Sequence, residues 1–383
     1  MTDLRQTPAI PTGRSRRPRG RPLLYTSYAQ DMALLDTPAK RVWTLVLIVL
    51  AFLLSAVLQD RSLEVLAGAY ALAIGAIGLN LVAGYAGQIS LGHAFFVAIG
   101  AYTAAALSGP PDGRNLGFGL AEIWIWLPAA GLVAAAAGVL VAPLAARLRG
   151  LYLAVVTLGL VFLGEHVFKE WDHLTGGPGV GRQAAVPELF GTRLDQDGLL
   201  GTREQSLYLV MLVLLIVFAL AARNLARSRV GRAFAAIRDR DIAAEVIGVP
   251  LTRYKVLAFG ASSFYAGIAG GLLYTITGFV EPGSFSLLLS VQFIAMVLIG
   301  GVATVSGSIM GALFIVLIQP LTRSLPALVP VISSDTTATP NVFQVETVLY
   351  GLLIILFLVF EPRGLYGIWI RVRTYWKSWP FSY

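Results

Sequence analysis

From Gly84 to Tyr102 the chain reads Gly-Tyr-Ala-Gly-Gln-Ile-Ser-Leu-Gly-His-Ala-Phe-Phe-Val-Ala-Ile-Gly-Ala-Tyr, an apolar stretch broken by glycines, an amide, a hydroxyl and an imidazole. Gln88, Ser90 and His93 can each donate and accept hydrogen bonds. Beside Phe95 and Phe96 they could line a path for a small polar solute. Broken helix with polar side chains is tolerated at membrane depth only inside protein or beside a wet cavity. The same groups would equally suit a tight turn with polar side chains at the interface.

A second stretch with chemistry in it runs from Arg223 to Lys255, basic in a chain that otherwise avoids charge. Val230, Phe234 and Ile237 form an i, i+4, i+7 apolar stripe, and Ile242 and Val246 form another. Asp239 and Asp241 stand near the start of the second turn, where negative charge suits the helix dipole. Gly248 and Pro250 follow as stop signals. Ala244 and Gly248 lie four residues apart, a spacing that puts two small residues on one helical face. Apolar runs flank this loop on both sides, so it reads as a docking surface for a cytoplasmic partner. An amphipathic helix lying on the membrane surface is the alternative.

Other chemistries lack their residues. The chain has no Cys, which excludes disulfides and thiolate sites. His93, His166 and His173 are scattered, with no metal-ligand spacing. No Gly-x-x-x-x-Gly-Lys-Ser/Thr loop occurs, and none of Lys40, Lys169, Lys255 and Lys377 follows such a loop, so ATP phosphates are not cradled in that way. Gly176-Gly-Pro-Gly-Val-Gly181 lacks the following Lys-Ser/Thr, and its Gly and Pro mark turns. No paired carboxylates or nucleophile with a nearby base suggest an enzyme.

The elements that must position these residues belong in lipid. The 383 residues are 56% hydrophobic and 13% charged, whereas soluble domains carry about 25% charged residues. Apolar runs of spanning length fall at 42–59, 63–83, 91–108, 123–146, 150–168, 207–222, 255–277, 289–306, 307–325 and 343–360. The reading is an all-α integral membrane protein of about ten transmembrane helices, eight at the fewest. Gly267-Ile-Ala-Gly-Gly271 and Gly307-Ser-Ile-Met-Gly311 suit close helix contacts. Glu64, Glu165 and Glu346 fall near span ends, so ion coupling through a buried carboxylate loses ground.

The net charge of +8 concentrates in particular loops, as cytoplasmic segments require. Arg147, Arg149, the 223–255 loop, Arg363, Arg371, Arg373 and Lys377 share a side with the basic N-terminus. The loop 165–206 opposes them with seven acidic residues against four basic ones. Both termini are therefore expected in the cytoplasm. Residues 1–38, Arg- and Pro-rich, read as a disordered basic tail, 39–365 as the membrane domain and 366–383 as a C-terminal tail. Ile89-Ser-Leu91 with Phe95-Phe96 and Gly100 loosely echoes Phe285-Ser-Leu287 with Phe293 and Gly300, which hints at an inverted repeat with a path at its interface.

The 84–102 stretch also resembles the LivM-type permease subunits of branched-chain amino acid ABC importers. The resemblance continues through Arg149-Gly-Leu-Tyr-Leu-Ala-Val-Val-Thr-Leu158, Leu174-Thr-Gly-Gly-Pro-Gly-Val-Gly181 and Gly231-Arg-Ala-Phe-Ala-Ala-Ile-Arg-Asp239. It extends to Ala243-Ala-Glu-Val-Ile-Gly248, Gly300-Gly301, Gly307, Gly311-Ala312 and Glu361-Pro-Arg-Gly-Leu365. It implies a transport subunit, not an enzyme, in a bacterial inner membrane. A periplasmic solute-binding protein would deliver the solute and a second related permease would complete the pore. Two ATPases would bind ATP and Mg, with no cofactor in this chain. Relatives for urea, short amides or aromatic acids look alike, and a stand-alone secondary carrier is the rival of another class. The Ala-Ala-x-x-x-Gly spacing resembles an ATPase coupling loop, which assigns Arg238, Asp239, Ala243, Ala244 and Gly248 to coupling and Gln88, Ser90, His93, Phe95 and Phe96 to the solute path.

Overall fold

A computed structural model describes residues 38–110, 115–148, 150–177, 179–194, 201–323 and 341–378. The tail expected over 1–38 lies outside them apart from Pro38, as does Arg149. The chain divides into two compact units, residues 1–49 and 50–383. The described part of the first is the apolar start of helix α1, Pro38–Val57.

The helices that follow are α2 (Asp60–Asn80, extended by a π-helical turn Leu81–Tyr85), α3 (His93–Ser108), α4 (Ile123–Arg147), α5 (Leu151–Glu170) and α6 (Arg203–Arg227). After these come α7 (Arg229–Val246), α8 (Leu251–Thr277), α9 (Leu287–Gly300), α10 (Val305–Arg323), α11 (Val342–Phe360) and α12 (Gly364–Ser378). Each expected apolar run is largely helical over its described residues, except that 289–306 is interrupted at 301–304. Residues 366–378, read as part of a tail, continue as helix α12.

Length separates helices from crossings. Among the described residues five helices are long and apolar enough to cross a membrane: α2 with its π turn, the Ile123–Leu144 part of α4, α5, α6 and α8. Two bent pairs bring the number to seven if each is one span. The sequence reads α9 and α10 as two separate crossings. The structure instead bends them by 120° about a short break. α9 has 14 residues, about 21 Å of helix against a hydrocarbon core of about 30 Å. The break falls at Gly301, whose φ of 134° an L side chain rarely adopts, and at Ala303 with φ 58°.

α8 and α2 are the two most buried of the long helices, and α8 packs chiefly on α4, α3 and α2. Small residues make that possible. A Cβ on Gly100 of α3 would fall on the Gly267 backbone, and one on Gly270 would fall on the Val97 carbonyl. Gly267 in turn sits against Ala130 and Ala134 of α4. Lipid gives apolar helices no hydrophobic reason to associate, so backbone approach of this kind supplies the van der Waals contact that holds them. Gly300, Gly307 and Gly311 do the same between α9 and α10. The expected small-residue contacts therefore form.

The halves interlock: α2 packs on α10 and α9 of the second half, and α8 packs on α4 and α3 of the first. At one end, Arg182 is buried and its guanidinium donates to the carbonyls of Leu116, Leu174 and Ala105 at 2.8, 3.0 and 2.8 Å. Gly176, Gly177, Gly179 and Gly181 all have left-handed φ, so the glycine run is a chain of turns that delivers Arg182 to those carbonyls. Arg182–Gln183 (β1) then pairs antiparallel with Phe279–Val280 (β4), while Glu188–Leu189 (β2) pairs with Thr192–Arg193 (β3).

Candidate translocation and coupling site

The stretch singled out by its polar residues is where helix gives way. α2 widens into a π turn, with Ala86 N–H reaching Leu81 O at 3.2 Å, and Gln88 N–H then reaches back to Val82 O at 2.9 Å. Gly87 takes φ 67°. Regular helix resumes only at His93. π turns are costly and concentrate at functional positions.

The freed backbone groups find partners on neighbouring helices. Leu91 N–H donates to Thr157 Oγ1 of α5 at 2.9 Å, and Ala94 N–H donates to Ser290 Oγ of α9 at 3.0 Å. Gly92 presses on the Thr157 carbonyl, where a Cβ would come within 2.7 Å. Unwound backbone inside a bilayer persists only with such internal satisfaction.

The polar residues of the stretch are packed. Gln88 and Ser90 are buried, Gln88 donating to Ala86 O at 3.2 Å and Ser90 Oγ accepting from Gly92 N–H at 3.4 Å. His93 is 1% exposed. Its Nε2 stands 2.9 Å from Gly75 O, and its ring meets Phe293 edge-on at 4.8 Å. Phe96 is buried, and half-buried Phe95 packs on Phe96 and Phe168. Gln88 and Ser90 thus sit on non-helical backbone, while His93, Phe95 and Phe96 form a packed wall behind it.

Asn80, at the end of α2, is the residue that sequence reasoning missed. It is 1% exposed. Its Oδ1 accepts from Ala303 N–H at 2.8 Å, and its Nδ2 donates to Thr304 O at 2.9 Å and Ser308 Oγ at 2.7 Å. One amide therefore satisfies the break between α9 and α10. Gly84 leaves it room, since a Cβ there would meet Asn80 Oδ1 and Ala303 N. The available signal was a lone amide closing an apolar run, with a glycine four residues on.

The basic loop is helical as its stripes require. α7 kinks at Arg240, with φ −158° and ψ 103°. Before the kink, Phe234 and Ile237 are buried; after it, Ile242 and Val246 are exposed, and so is Ile247. The expected Ala244–Gly248 face does not form. Ala244 is 2% exposed, buried within this chain, and Gly248 lies past the helix end at φ 90°. Gly248 N–H reaches Glu245 O and Val249 N–H reaches Ala244 O, both at 2.9 Å, the paired bonds of a Schellman stop. Gly248 is needed for its backbone, and a Cβ there would meet open space. Ala243 stays exposed.

Arg238, although exposed, also reaches the unwound segment. Its Nη1 donates to Gly84 O at 3.3 Å, and its backbone and side-chain carbons crowd Gly87 so closely that a Cβ would come within 2.8 Å. Its Nε and Nη2 hold Asp239 Oδ1, both at 3.1 Å. α7 thereby touches the unwound segment directly. Among the described residues no group of three metal-ligating side chains comes together.

Several apolar helices interlocked around two breaks in regular helix define a multi-pass membrane protein. Residues 62–358 match the family described as branched-chain amino acid transport system / permease component, and the chain belongs to that family. It is 32% identical over 346 residues to the high-affinity branched-chain amino acid transport system permease protein LivM of Salmonella typhimurium, covering 86% of this chain and 76% of the relative. Against the Escherichia coli LivM it is 34% identical over 305 residues, 76% of this chain and 66% of that one. The LivH permease of the Salmonella typhimurium system is also similar, 24% identical over 308 residues, 76% and 90% of the two chains. No solved structure matches the chain.

Proposed function

We propose that this chain is the membrane-spanning permease subunit of an ABC importer for branched-chain amino acids in a bacterial inner membrane. A periplasmic binding protein hands over the solute, and a second, related permease completes the path. Two separate ATPase subunits supply the energy, with ATP and Mg bound there. The similarity to both LivM and LivH, named as permeases of one such system, supports a pair of related subunits. In this reading the crossings number eight to ten, α9 and α10 forming one bent pair, and both termini lie in the cytoplasm, which the distribution of basic loops supports.

The contact of Arg238 with Gly84 and Gly87 carries the mechanism. The outer half of α7 exposes Ile242, Val246 and Ile247 for an ATPase groove, a helix-in-groove mode of docking. Asp239 and Ala243 flank that face, while Ala244 and Gly248 shape the helix that presents it. Arg238 links α7 to the unwound segment, so displacement of α7 by a nucleotide-driven partner moves Gln88 and Ser90. Those two residues line the route, with His93, Phe95 and Phe96 as its wall.

The test is leucine uptake into vesicles containing the complete complex. Arg238→Ala should lower uptake about tenfold, within the usual range of coupling between sites, while bound ATPase subunits still hydrolyse ATP. Uptake at the wild-type rate would overturn the link. Uptake that needs neither ATP nor the binding protein would overturn the importer itself.

A further inference from the structure

The helix that follows the last apolar run has no part in the coupling proposed for α7 and the unwound segment. α12 continues from α11 across a bend of 43°. The bend has a specific root: Gly364, at φ 64°, presses on the Ile299 carbonyl and the backbone of Gly300 and Gly301. Arg371 closes it from outside with a two-pronged ion pair to Glu361, Nη2 lying 2.8 and 2.9 Å from the two carboxylate oxygens. The close packing of Gly364 sets the direction in which α12 leaves the spans, and the ion pair, with Arg371 exposed, adds little to it.

From Ile368 to Tyr375 the helix is exposed on all sides, yet its residues are sorted. At 100° per residue, Leu365, Ile368, Trp369, Val372 and Tyr375 fall within one arc of about 120°. Ile368, Trp369, Val372 and Tyr375 are 39%, 54%, 44% and 58% exposed. Arg371 and Arg373 border the arc on its two edges, and Ile370 alone among the larger aliphatics falls outside it. The segment 361–375 holds three arginines, Arg363, Arg371 and Arg373, against one carboxylate, Glu361.

We infer that α12 lies in the membrane interface, its apolar arc in the acyl boundary and its arginines on anionic lipid headgroups. α11 alone has 19 residues, about 28 Å of helix, enough to cross the hydrocarbon core and bring the start of α12 to its edge. An apolar arc with aromatics, bordered by arginines, is the pattern of interfacial helices. Arginines can keep their heads among phosphates while their stems cover apolar surface. The charge excess selects anionic headgroups over zwitterionic ones. Because the root of α12 rests on Gly300 and Gly301, the same lipid contact steadies the break that Asn80 satisfies from the other side.

The absence of cysteine from the sequence makes the test direct. Val372→Cys and Arg373→Cys variants of the full chain are reconstituted into phosphatidylcholine vesicles with or without phosphatidylglycerol, and reaction with a water-soluble maleimide is timed. With phosphatidylglycerol, Cys labelling at position 372 should be about tenfold slower than at 373, and removing the anionic lipid should narrow that gap severalfold. Arg363→Gln added to Val372→Cys should weaken the lipid dependence; its side chain is exposed, so folding is not at stake. Equal reaction at both positions in both lipids would overturn the proposal. So would protection indifferent to headgroup charge, or protection appearing only when ATPase subunits are added, which would make α12 a protein-docking face.

Discussion

Asn80 shows how much one polar side chain can hold in an apolar protein. Its amide satisfies a backbone N–H, a backbone carbonyl and a hydroxyl around the α9–α10 break. Leaving such groups without partners costs about 1–3 kcal/mol each, more than the net worth of the bonds themselves. Asn80→Leu, similar in volume, should therefore lower the thermal midpoint of the purified protein clearly, and Ser308→Ala should do so less. An unchanged midpoint for Asn80→Leu would mean that water or backbone shift replaces the amide. Gln88, Ser90 and His93 were legible from sequence as polar groups in an apolar stretch. Asn80 was not, because its partners lie more than two hundred residues away.

At the scale of elements, close approach decides which helices pair. α3 and α8 meet where Gly100, Gly267 and Gly270 leave only backbone between them. Gly270→Val would drive two methyl groups toward the Val97 carbonyl, where neither side is a flexible side-chain end. Overpacking costs about 1–3 kcal/mol when side chains can give way, and backbone on both sides sets the upper part of that range. The expected outcome is a protein that inserts but unfolds at lower temperature and yields less monodisperse material. Gly260→Ala on the same helix meets only the tip of Val139 at 3.0 Å and should be tolerated. If the two behave alike, the glycine contacts are not what pairs these helices.

At the scale of the whole molecule, the proposed coupling would depend on which apolar residues the chain leaves uncovered. Ile242, Val246 and Ile247 are 64%, 82% and 75% exposed on the outer half of α7 and at its end. Replacing Ile242 and Val246 together by Glu removes nothing from the core, and surface changes of this kind usually shift stability by less than about 0.5 kcal/mol. The double variant should therefore purify and melt as the wild type does, while retention of ATPase subunits falls sharply in pull-down. Full retention would put the docking face elsewhere on the loop. Ala244→Trp is a poor test of the same idea, since that alanine is buried in this chain and the substitution would disturb α7 itself.

Composition, the apolar runs and the stripes of the basic loop determined the membrane class, the position of every long helix and the existence of α7. These are local properties: burial in lipid requires uninterrupted apolar helix, and a stripe at helical spacing forms a helix wherever it can bury one face. Tertiary structure decided the rest. Equal runs of apolar sequence became a spanning helix at α8 and a 120° break at α9–α10, because breaks survive only where another element supplies hydrogen bonds, here Asn80. Two small residues four apart suggested a shared face, yet Gly248 serves as a left-handed stop and Ala244 faces inward. Arg238, read as a coupling residue, also reaches the unwound segment, a contact that the sequence did not show. A side chain's direction depends on what stands beside it in space, and sequence spacing carries no record of that neighbour.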